Sequence, residues 1–130
     1  MSVLGIATAA LFVMVAAFQV AAAAGHRVGS HTWGGRFPAG LPPTMRVGSA
    51  ISALVLPGAA TVVLARSGAT AWSVVPDSWL AGVTWGLAAF MALNTLGNFA
   101  SQSRVERVLL GPVTAVLAVL CSVVAAGGTG

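Results

Sequence analysis

Residues 108–126 read VLLGPVTAVLAVLCSVVAA, and residues 3–24 read VLGIATAALFVMVAAFQVAAAA. Neither stretch carries a charged side chain, and each is close to the roughly 20 residues that a helix needs to cross the hydrocarbon core of a bilayer. Two more uncharged apolar runs occupy residues 47–65 and 79–96. These four runs predict four transmembrane helices.

The composition of the whole chain also indicates a membrane protein. Hydrophobic residues make up 58% of the 130 residues, charged residues make up 6%, and the mean hydropathy is +0.96. A soluble domain could not cover its surface with so few charged groups. We therefore expect an all-α membrane protein with a single domain, a four-span antiparallel helix bundle with a long ordered first loop. Its spans are predicted at about residues 3–24, 45–65, 79–100 and 105–126.

The arginines predict the orientation of the spans. Five of the six flank or occupy the loops after the first and third spans, namely Arg27, Arg36, Arg46, Arg104 and Arg107. The loop between the second and third spans has Arg66, whose positive charge is balanced by the negative charge of Asp77. Because cytoplasmic loops carry an excess of basic residues, we expect loops 1 and 3 in the cytoplasm and both termini outside. Arginines so few and so close to spans do not indicate a nucleic-acid partner.

The first apolar run has a second interpretation as a cleaved signal peptide, since its last residues are small alanines. It lacks a basic region before the apolar stretch, however, and that stretch is longer than the roughly 7–15 residues of a signal peptide. An uncleaved first span is the favoured interpretation.

The segment after the first span, residues 25–44, reads GHRVGSHTWGGRFPAGLPPT. Its glycines and prolines exclude a regular helix, and it is longer than the usual helix–helix connection. Gly34 and Gly35 permit close approach of the backbone to a ligand, Trp33 suits the headgroup level, and Arg36 can bind a phosphate or carboxylate. The alternative is that the same residues fold the loop onto the bundle.

Polar residues cluster where the third span ends. Asn94, Asn98 and Ser101 follow i, i+4, i+7 spacing and are expected on one helical face. Amides within a span need hydrogen-bond partners, so this face predicts either a network between helices or a polar cavity. Gln19, the strongly polar side chain of the first span, is expected to pack against a neighbouring helix.

Ser103 and Glu106 precede the fourth run with the spacing of a capping box. Arg104 and Arg107 are unfavourable at a helix N-terminus, which indicates a role in topology or in binding an anionic lipid headgroup. Convergence of arginines such as Arg46 on Glu106 would instead give a structural ion-pair network.

Four shorter features predict local structure. Pro57 is expected to bend the second helix, and Pro112 lies too far along the fourth for a first-turn proline and predicts a kink. Asp77 and Ser78 are available to cap the third helix. The same helix contains Gly82-x-x-x-Gly86, a spacing that allows close approach of another helix.

Two loop signatures resemble an uncharacterised family of small bacterial four-helix membrane proteins. The first is G-x-x-x-G-x-x-x-W-G-G followed by L-P-x-x-x-R-x-x-S, present as Gly25, Gly29, Trp33, Gly34, Gly35, Leu41, Pro42, Arg46 and Ser49. The second is N-x-x-S-x-S-x-x-E-R followed by proline, present as Asn98, Ser101, Ser103, Glu106, Arg107 and Pro112. Where members of that family often have Ala-Pro after the first glycine, this chain has His26 and Arg27. The resemblance implies the four-helix architecture and no particular reaction.

The sequence contains no recognisable catalytic or metal-binding set. His26 and His31 share one connection, whereas a bis-His haem needs ligands from facing helices, so we expect solvated histidines and no metal or cofactor. Asp77 and Glu106 are predicted on opposite sides of the membrane, which argues against paired-carboxylate chemistry. Cys121 is expected to be a small buried side chain. Proton-coupled exporters of this size need a carboxylate within the membrane, and the four runs contain none.

Two functions remain as hypotheses. The first is a non-enzymatic accessory or assembly subunit that packs against other membrane-protein chains of a larger complex. The alternative is a small-solute or lipid-binding, transporter-like protein with a polar site at the cytoplasmic ends of helices 3 and 4. A membrane enzyme ranks below both. The candidate residues for a ligand, partner or structural network are Trp33, Gly34, Gly35, Arg36, Arg46, Asn94, Asn98, Ser101, Ser103, Glu106 and Arg107.

Overall fold

The computed structural model describes residues 1–23, 43–101, 104 and 106–127. All regular secondary structure in these residues is helical. The four α-helices are α1 (Ser2–Ala23), α2 (Pro43–Arg66), α3 (Leu80–Phe99) and α4 (Gly111–Gly127). A short 3-10 turn, Asp77–Trp79, precedes α3, and a π-helical turn, Glu106–Leu110, precedes α4.

Four helical segments are long and apolar enough to cross a membrane, as the sequence predicts. They are Ser2–Ala21, Val47–Arg66, Asp77–Phe99 and Glu106–Gly127, with mean hydropathies of 2.3, 2.0, 1.4 and 2.5. Large apolar side chains cover the outside of the helices, among them Val3, Leu54 and Leu93. Such a surface suits contact with lipid tails and would be unfavourable in water.

The helices associate as two pairs. α1 packs mainly against α2 and α3 against α4, whereas contacts between the two pairs are fewer. The side chains of Phe12, Val63 and Leu117 are fully buried and belong to one apolar core. Cys121 is also fully buried in this core, which confirms its prediction as a small buried side chain. The weaker contact between pairs leaves room for the cleft described below.

One end of the helix assembly brings together the start of α1, the end of α2 and the end of α4. The hydroxyl of Ser2 donates to the carbonyl oxygen of Ser67 at 3.4 Å. Gly5 lies so close to Ser67 that a methyl group on its Cα would overlap the serine side chain. From α2, Nη2 of Arg66 donates to the carbonyl oxygen of Ala125 at 2.7 Å. This contact joins the two helix pairs at that end.

The end of α2 has the hydrogen bonds of a Schellman motif. The backbone N–H of Ala69 donates to Leu64 O at 2.9 Å, and that of Gly68 donates to Ala65 O at 3.1 Å. Gly68 has φ 83°, in the left-handed region that glycine adopts without steric cost. The motif satisfies carbonyls that the end of the helix would otherwise leave unpaired.

The predicted cap of the third helix is wrong. The N-cap of the 3-10 turn is Pro76, and the N-cap of α3 is Trp79. Neither residue makes a side-chain capping hydrogen bond. The backbone supplies the partners instead: Trp79 N–H donates to Pro76 O at 2.9 Å, and Leu80 N–H donates to Asp77 O. Because the turn uses backbone carbonyls, the side chains of Asp77 and Ser78 have no capping role.

The fourth helical segment contains a π turn near its start. Arg104 is already helical, and the π-helical turn Glu106–Leu110 leads directly into α4 at Gly111. Pro112 therefore lies inside a helical segment, as predicted, and its kink stays a prediction. A proline has no N–H to donate to the carbonyl four residues earlier, which here belongs to Val108. The π turn thus lies just before the residue at which the regular α-helical hydrogen bond cannot form.

Two other predicted features have different outcomes. α2 continues through Pro57 to Arg66, and the predicted bend stays a prediction. Gly82 and Gly86 are exposed on α3, and an added Cβ at either would meet no atom within 4 Å. The glycine strip therefore makes no close helix contact with the described part of this chain.

Candidate functional site, a polar cleft between the helix pairs

A cleft of about 470 Å³ lies between the helix pairs, at the end opposite the contact between Arg66 and Ala125. Residues from all four helices and from the π turn line it. They are Val15 and Gln19 of α1, Ser52 of α2, Phe90, Leu93, Asn94, Gly97 and Asn98 of α3, and Glu106, Leu110 and Thr114 beyond α3. A cavity of this size is within the range of small-ligand sites in proteins.

The predicted polar face of helix 3 forms one wall of the cleft. Asn94 and Asn98, one turn apart on α3, both line it. Nδ2 of Asn98 donates to Oγ1 of Thr114 on α4 at 3.2 Å, and the hydroxyl of Thr95 lies 3.0 Å from the same atom. The sequence left a network between helices and a polar cavity as alternatives, and this face takes part in both.

The hydroxyl of Thr114 lies within hydrogen-bond distance of two carbonyl oxygens of its own chain, 2.9 Å from Leu110 O and 3.0 Å from Gly111 O. Its single proton is therefore directed along its own helix, and its oxygen accepts from α3. Nδ2 of Asn94 donates to Phe90 O at 2.8 Å within α3. Both amide nitrogens are thus anchored by protein acceptors.

Ser101 and Glu106, which both belong to the second loop signature, are joined by a hydrogen bond. α3 ends at Phe99, so Ser101 lies just beyond the helix and does not line the cleft directly. Its hydroxyl donates to Oε1 of Glu106 at 2.6 Å, and its carbonyl accepts from Nη1 of Arg107 at 2.8 Å. Ser101 therefore links the end of α3 to the π turn.

Glu106 is only 8% exposed and is the first residue of the fourth candidate span. Asp77 is likewise the first residue of the third candidate span, so each acid lies at the edge of a span, and the four apolar runs contain neither. The expected capping box stays a prediction, because Ser103 lies outside the described residues. Asp77, the other acid, comes before α3 begins, whereas Glu106 follows its end. α3 has 20 residues, so about 30 Å of helix separates the two acids. Their placement on opposite sides of a membrane stays a prediction.

Gln19, Ser52 and Thr114 line the cleft but are absent from the predicted set. Gln19 is half-buried and makes no hydrogen bond to a described residue, and its expected packing against a neighbouring helix stays a prediction. Because Gln19 is the strongly polar residue of an otherwise apolar run, the sequence alone could have indicated it as a candidate. Ser52 and Thr114 carry no such signal, since small hydroxyl residues are common in membrane helices.

Several predicted residues lie outside what the structure describes. These are Trp33, Gly34, Gly35, Arg36 and Ser103, together with the side chain of Arg46, whose backbone belongs to the first turn of α2. His26 and His31 are outside it as well. Within residues 1–23, 43–101, 104 and 106–127, no three His, Cys, Asp or Glu side chains come together as a metal site would require.

A smaller cavity of about 360 Å³ lies at the opposite end, beside the loop after α2. Arg66 and Asp77 both line it. The guanidinium of Arg66 donates to Ala125 O, while its Nε is buried without a hydrogen-bond partner. Arg66 therefore acts first as a link between α2 and α4.

No protein-family model, curated protein or solved structure matches this chain. The chemistry of the cleft is therefore the basis for a function. Its described polar groups are amides, hydroxyls and one carboxylate, which are groups that orient a bound molecule by hydrogen bonds.

Proposed function

We propose that the protein is a small, non-enzymatic integral membrane protein that binds a small solute or a lipid headgroup in the polar cleft. The observation that carries the proposal is the convergence of Gln19, Asn98 and Glu106, from three separate elements, on one cleft of about 470 Å³. Polar groups in an apolar helix assembly are costly unless they are satisfied by one another or by a ligand.

The proposed setting is a bacterial cytoplasmic membrane, which the chain crosses four times as an antiparallel bundle with a long first loop. Arg104 and Arg107 follow α3 at the cleft end, and the basic-residue rule favours the cytoplasm for that end. Both termini would then be extracytoplasmic. Membership in the family of small four-helix membrane proteins that the loop signatures resemble is part of the same proposal.

Native mass spectrometry of the protein released from nanodiscs tests this function. The wild type should retain a small-molecule adduct that the Asn98→Leu variant loses, because leucine removes the amide without shortening the side chain. Ser122→Ala is the matched control, since Ser122 donates only to Ala118 O in its own helix and lies outside the cleft. Equal adducts on all three proteins, or adducts on none, would contradict the proposal.

A second candidate function, an accessory subunit of a larger membrane complex, is supported by a different observation. Gly82 and Gly86 form an open strip on α3 where a partner helix could approach closely. Gly82→Leu and Gly86→Leu should then remove a co-purifying chain while leaving any small-molecule adduct in place. Recovery of the wild type as a stable monomer without a co-purifying chain would contradict this second function.

A further inference from the structure

The smaller cavity of about 360 Å³, beside the loop after α2, carries two opposite charges. Arg66 and Asp77 both line it. The two side chains do not form an ion pair with each other, and neither has another charged partner among the described residues. The cavity therefore holds a cationic and an anionic group whose charges are not compensated by the protein.

The guanidinium of Arg66 is held in place but keeps unused hydrogen-bond donors. Nη2 donates to the carbonyl oxygen of Ala125 at 2.7 Å, Nε is buried without a partner, and Nη1 donates to no described residue. The carbonyl of Ala125 is a neutral acceptor, so this bond orients the guanidinium without balancing its charge. An arginine with a fixed orientation and free N–H groups is suited to bind a phosphate.

Asp77 supplies the opposite charge. Its side chain is exposed and has no capping role, because its backbone carbonyl accepts the hydrogen bond from Leu80 N–H. An ionised carboxylate only accepts hydrogen bonds, so its natural partner is a cation with N–H donors, such as an ammonium group. The cavity is therefore complementary to a molecule that carries a phosphate and an ammonium group together.

Both charges lie at the boundary of candidate spans. Arg66 is the last residue of the second span, and Asp77 is the first residue of the third. Trp72 lies between them in the chain and Trp79 just after them, and their side chains are 66% and 60% exposed. Exposed tryptophans are enriched where a membrane presents its headgroups. The cavity thus lies at the depth at which a phospholipid carries its phosphate and, in zwitterionic lipids, its amine.

We infer that this cavity binds a zwitterionic phosphate–ammonium head, with the phosphate on the guanidinium of Arg66 and the ammonium group on the carboxylate of Asp77. The site lies at the end of the helices opposite the polar cleft and does not depend on what the cleft binds. The same head occurs in lipids with an ethanolamine headgroup and in free phosphoethanolamine. The two sources differ in the acyl chains that a lipid carries.

Titration of three probes, followed by native mass spectrometry in mild detergent, tests the inference. Lysophosphatidylethanolamine and lysophosphatidylglycerol of the same acyl chain share the phosphate, and only the first carries an ammonium group. The wild type should bind the ethanolamine lipid about fivefold more tightly, as expected for an ion pair with an exposed carboxylate. Free phosphoethanolamine distinguishes the two sources. If it binds as tightly as the ethanolamine lipid, the ligand is a soluble zwitterion, and if it binds much more weakly, the ligand is a lipid.

Two variants assign the binding to this cavity. Asp77→Asn should weaken the ethanolamine lipid about fivefold and leave the glycerol lipid at least as tightly bound, so that the preference disappears. Arg66→Gln should weaken both lipids about tenfold, because both lose the partner of their phosphate. Ser78→Ala is the matched control, since Ser78 is exposed, follows Asp77 directly and does not line the cavity. Asp77→Asn breaks no side-chain hydrogen bond to a described residue, so its result is decisive even if Arg66→Gln fails to fold.

A wild type that binds the glycerol lipid as tightly as the ethanolamine lipid, or more tightly, would show a simple anion site and overturn the inference. An Asp77→Asn variant that keeps the preference, or that weakens both lipids equally, would overturn it as well, and so would a lack of binding by all three probes. If Asn98→Leu abolishes the preference and Asp77→Asn does not, the lipid binds in the cleft. The function proposed for the cleft then stands, and the assignment to Arg66 and Asp77 fails.

Discussion

The hydroxyl of Ser101 donates a 2.6 Å hydrogen bond to Oε1 of Glu106. Ser101 follows α3, and Glu106 opens the π turn that leads into α4. The carbonyl of Ser101 in turn accepts from Arg107 at 2.8 Å. Through these two hydrogen bonds, Ser101 joins the end of α3 to the π turn that contains the buried Glu106 carboxylate.

Ser101→Ala should destabilise the fold, because it removes the hydrogen bond that holds the Glu106 carboxylate. The expected loss in free energy of unfolding is about 1.5–3 kcal/mol, typical of a hydrogen bond to a charged group. Helicity measured by circular dichroism during a titration from mild detergent into SDS gives this quantity. Ser122→Ala is the control, since its hydroxyl bonds only to Ala118 O of the same helix. Losses of equal size in both variants would contradict the role of Ser101.

Gly5→Ala should weaken the contact between α1 and α2. The added methyl group would overlap the side chain of Ser67 and would lie 3.2 Å from Val63 O. Overpacking of this kind costs about 1–3 kcal/mol in the free energy of unfolding. Gly82→Ala is the matched control because its methyl group would meet no atom within 4 Å. That control should leave stability unchanged or raise it by up to about 1 kcal/mol, from the better helix propensity of alanine. A Gly5→Ala variant as stable as the control would be inconsistent with the close packing.

Gly111→Ala should disturb the junction between the π turn and α4. A methyl group at this position would lie 2.8 Å from Cε1 of Phe99 and 3.2 Å from Glu106 O. Removing the ring should relieve the larger part of the conflict, so we expect Gly111→Ala to cost less stability in a Phe99→Ala background than in the wild type. A double-mutant cycle of unfolding free energies measures the difference. Additive effects of the two substitutions would show that the ring does not oppose the methyl group.

Thr114→Val should loosen α3 from α4, because it removes the oxygen that accepts from Nδ2 of Asn98 and lies 3.0 Å from the hydroxyl of Thr95. Hydrogen bonds between membrane helices contribute about 0.6 kcal/mol on average, so the expected loss is about 1 kcal/mol. Thr84→Val provides the comparison: Thr84 is equally inaccessible, but its hydroxyl donates only to Leu80 O within α3. The same loss in both variants would rule out a contribution from the inter-helix bonds.

The helices could be predicted from the sequence because apolar length alone determines whether a segment can cross a bilayer. The predicted span at about residues 79–100 corresponds to α3, Leu80–Phe99, and the shared face of Asn94 and Asn98 follows from helical spacing. Cys121, predicted as a small buried side chain, is buried as well.

The composition of the cleft could not be predicted in full, because it depends on how each helix is rotated and which helices pair. Gln19 and Thr114 join Asn98 only after α1 and α4 are placed on either side of the cleft. The π turn was missed because Ser103 and Glu106 match an ordinary capping pattern. The glycines at 82 and 86 have a spacing typical of helix contacts, yet among the described residues close approaches occur at Gly5, against Ser67, and at Gly111, against Phe99.

The central claim, a cleft open to ligand within a membrane-embedded helix assembly, is tested most directly by thiol accessibility in nanodiscs. Cys121 is first replaced by alanine. A single cysteine is then introduced either in the cleft, by Asn98→Cys, or on the outer surface of α3, by Leu96→Cys. Leu96 is 68% exposed. The two positions lie within about 3 Å of the same depth along the helix. A charged, water-soluble methanethiosulfonate should modify the cysteine at 98 and leave the lipid-facing cysteine at 96 unmodified. An unreactive cysteine at 98, or equal modification at both positions, would contradict the claim.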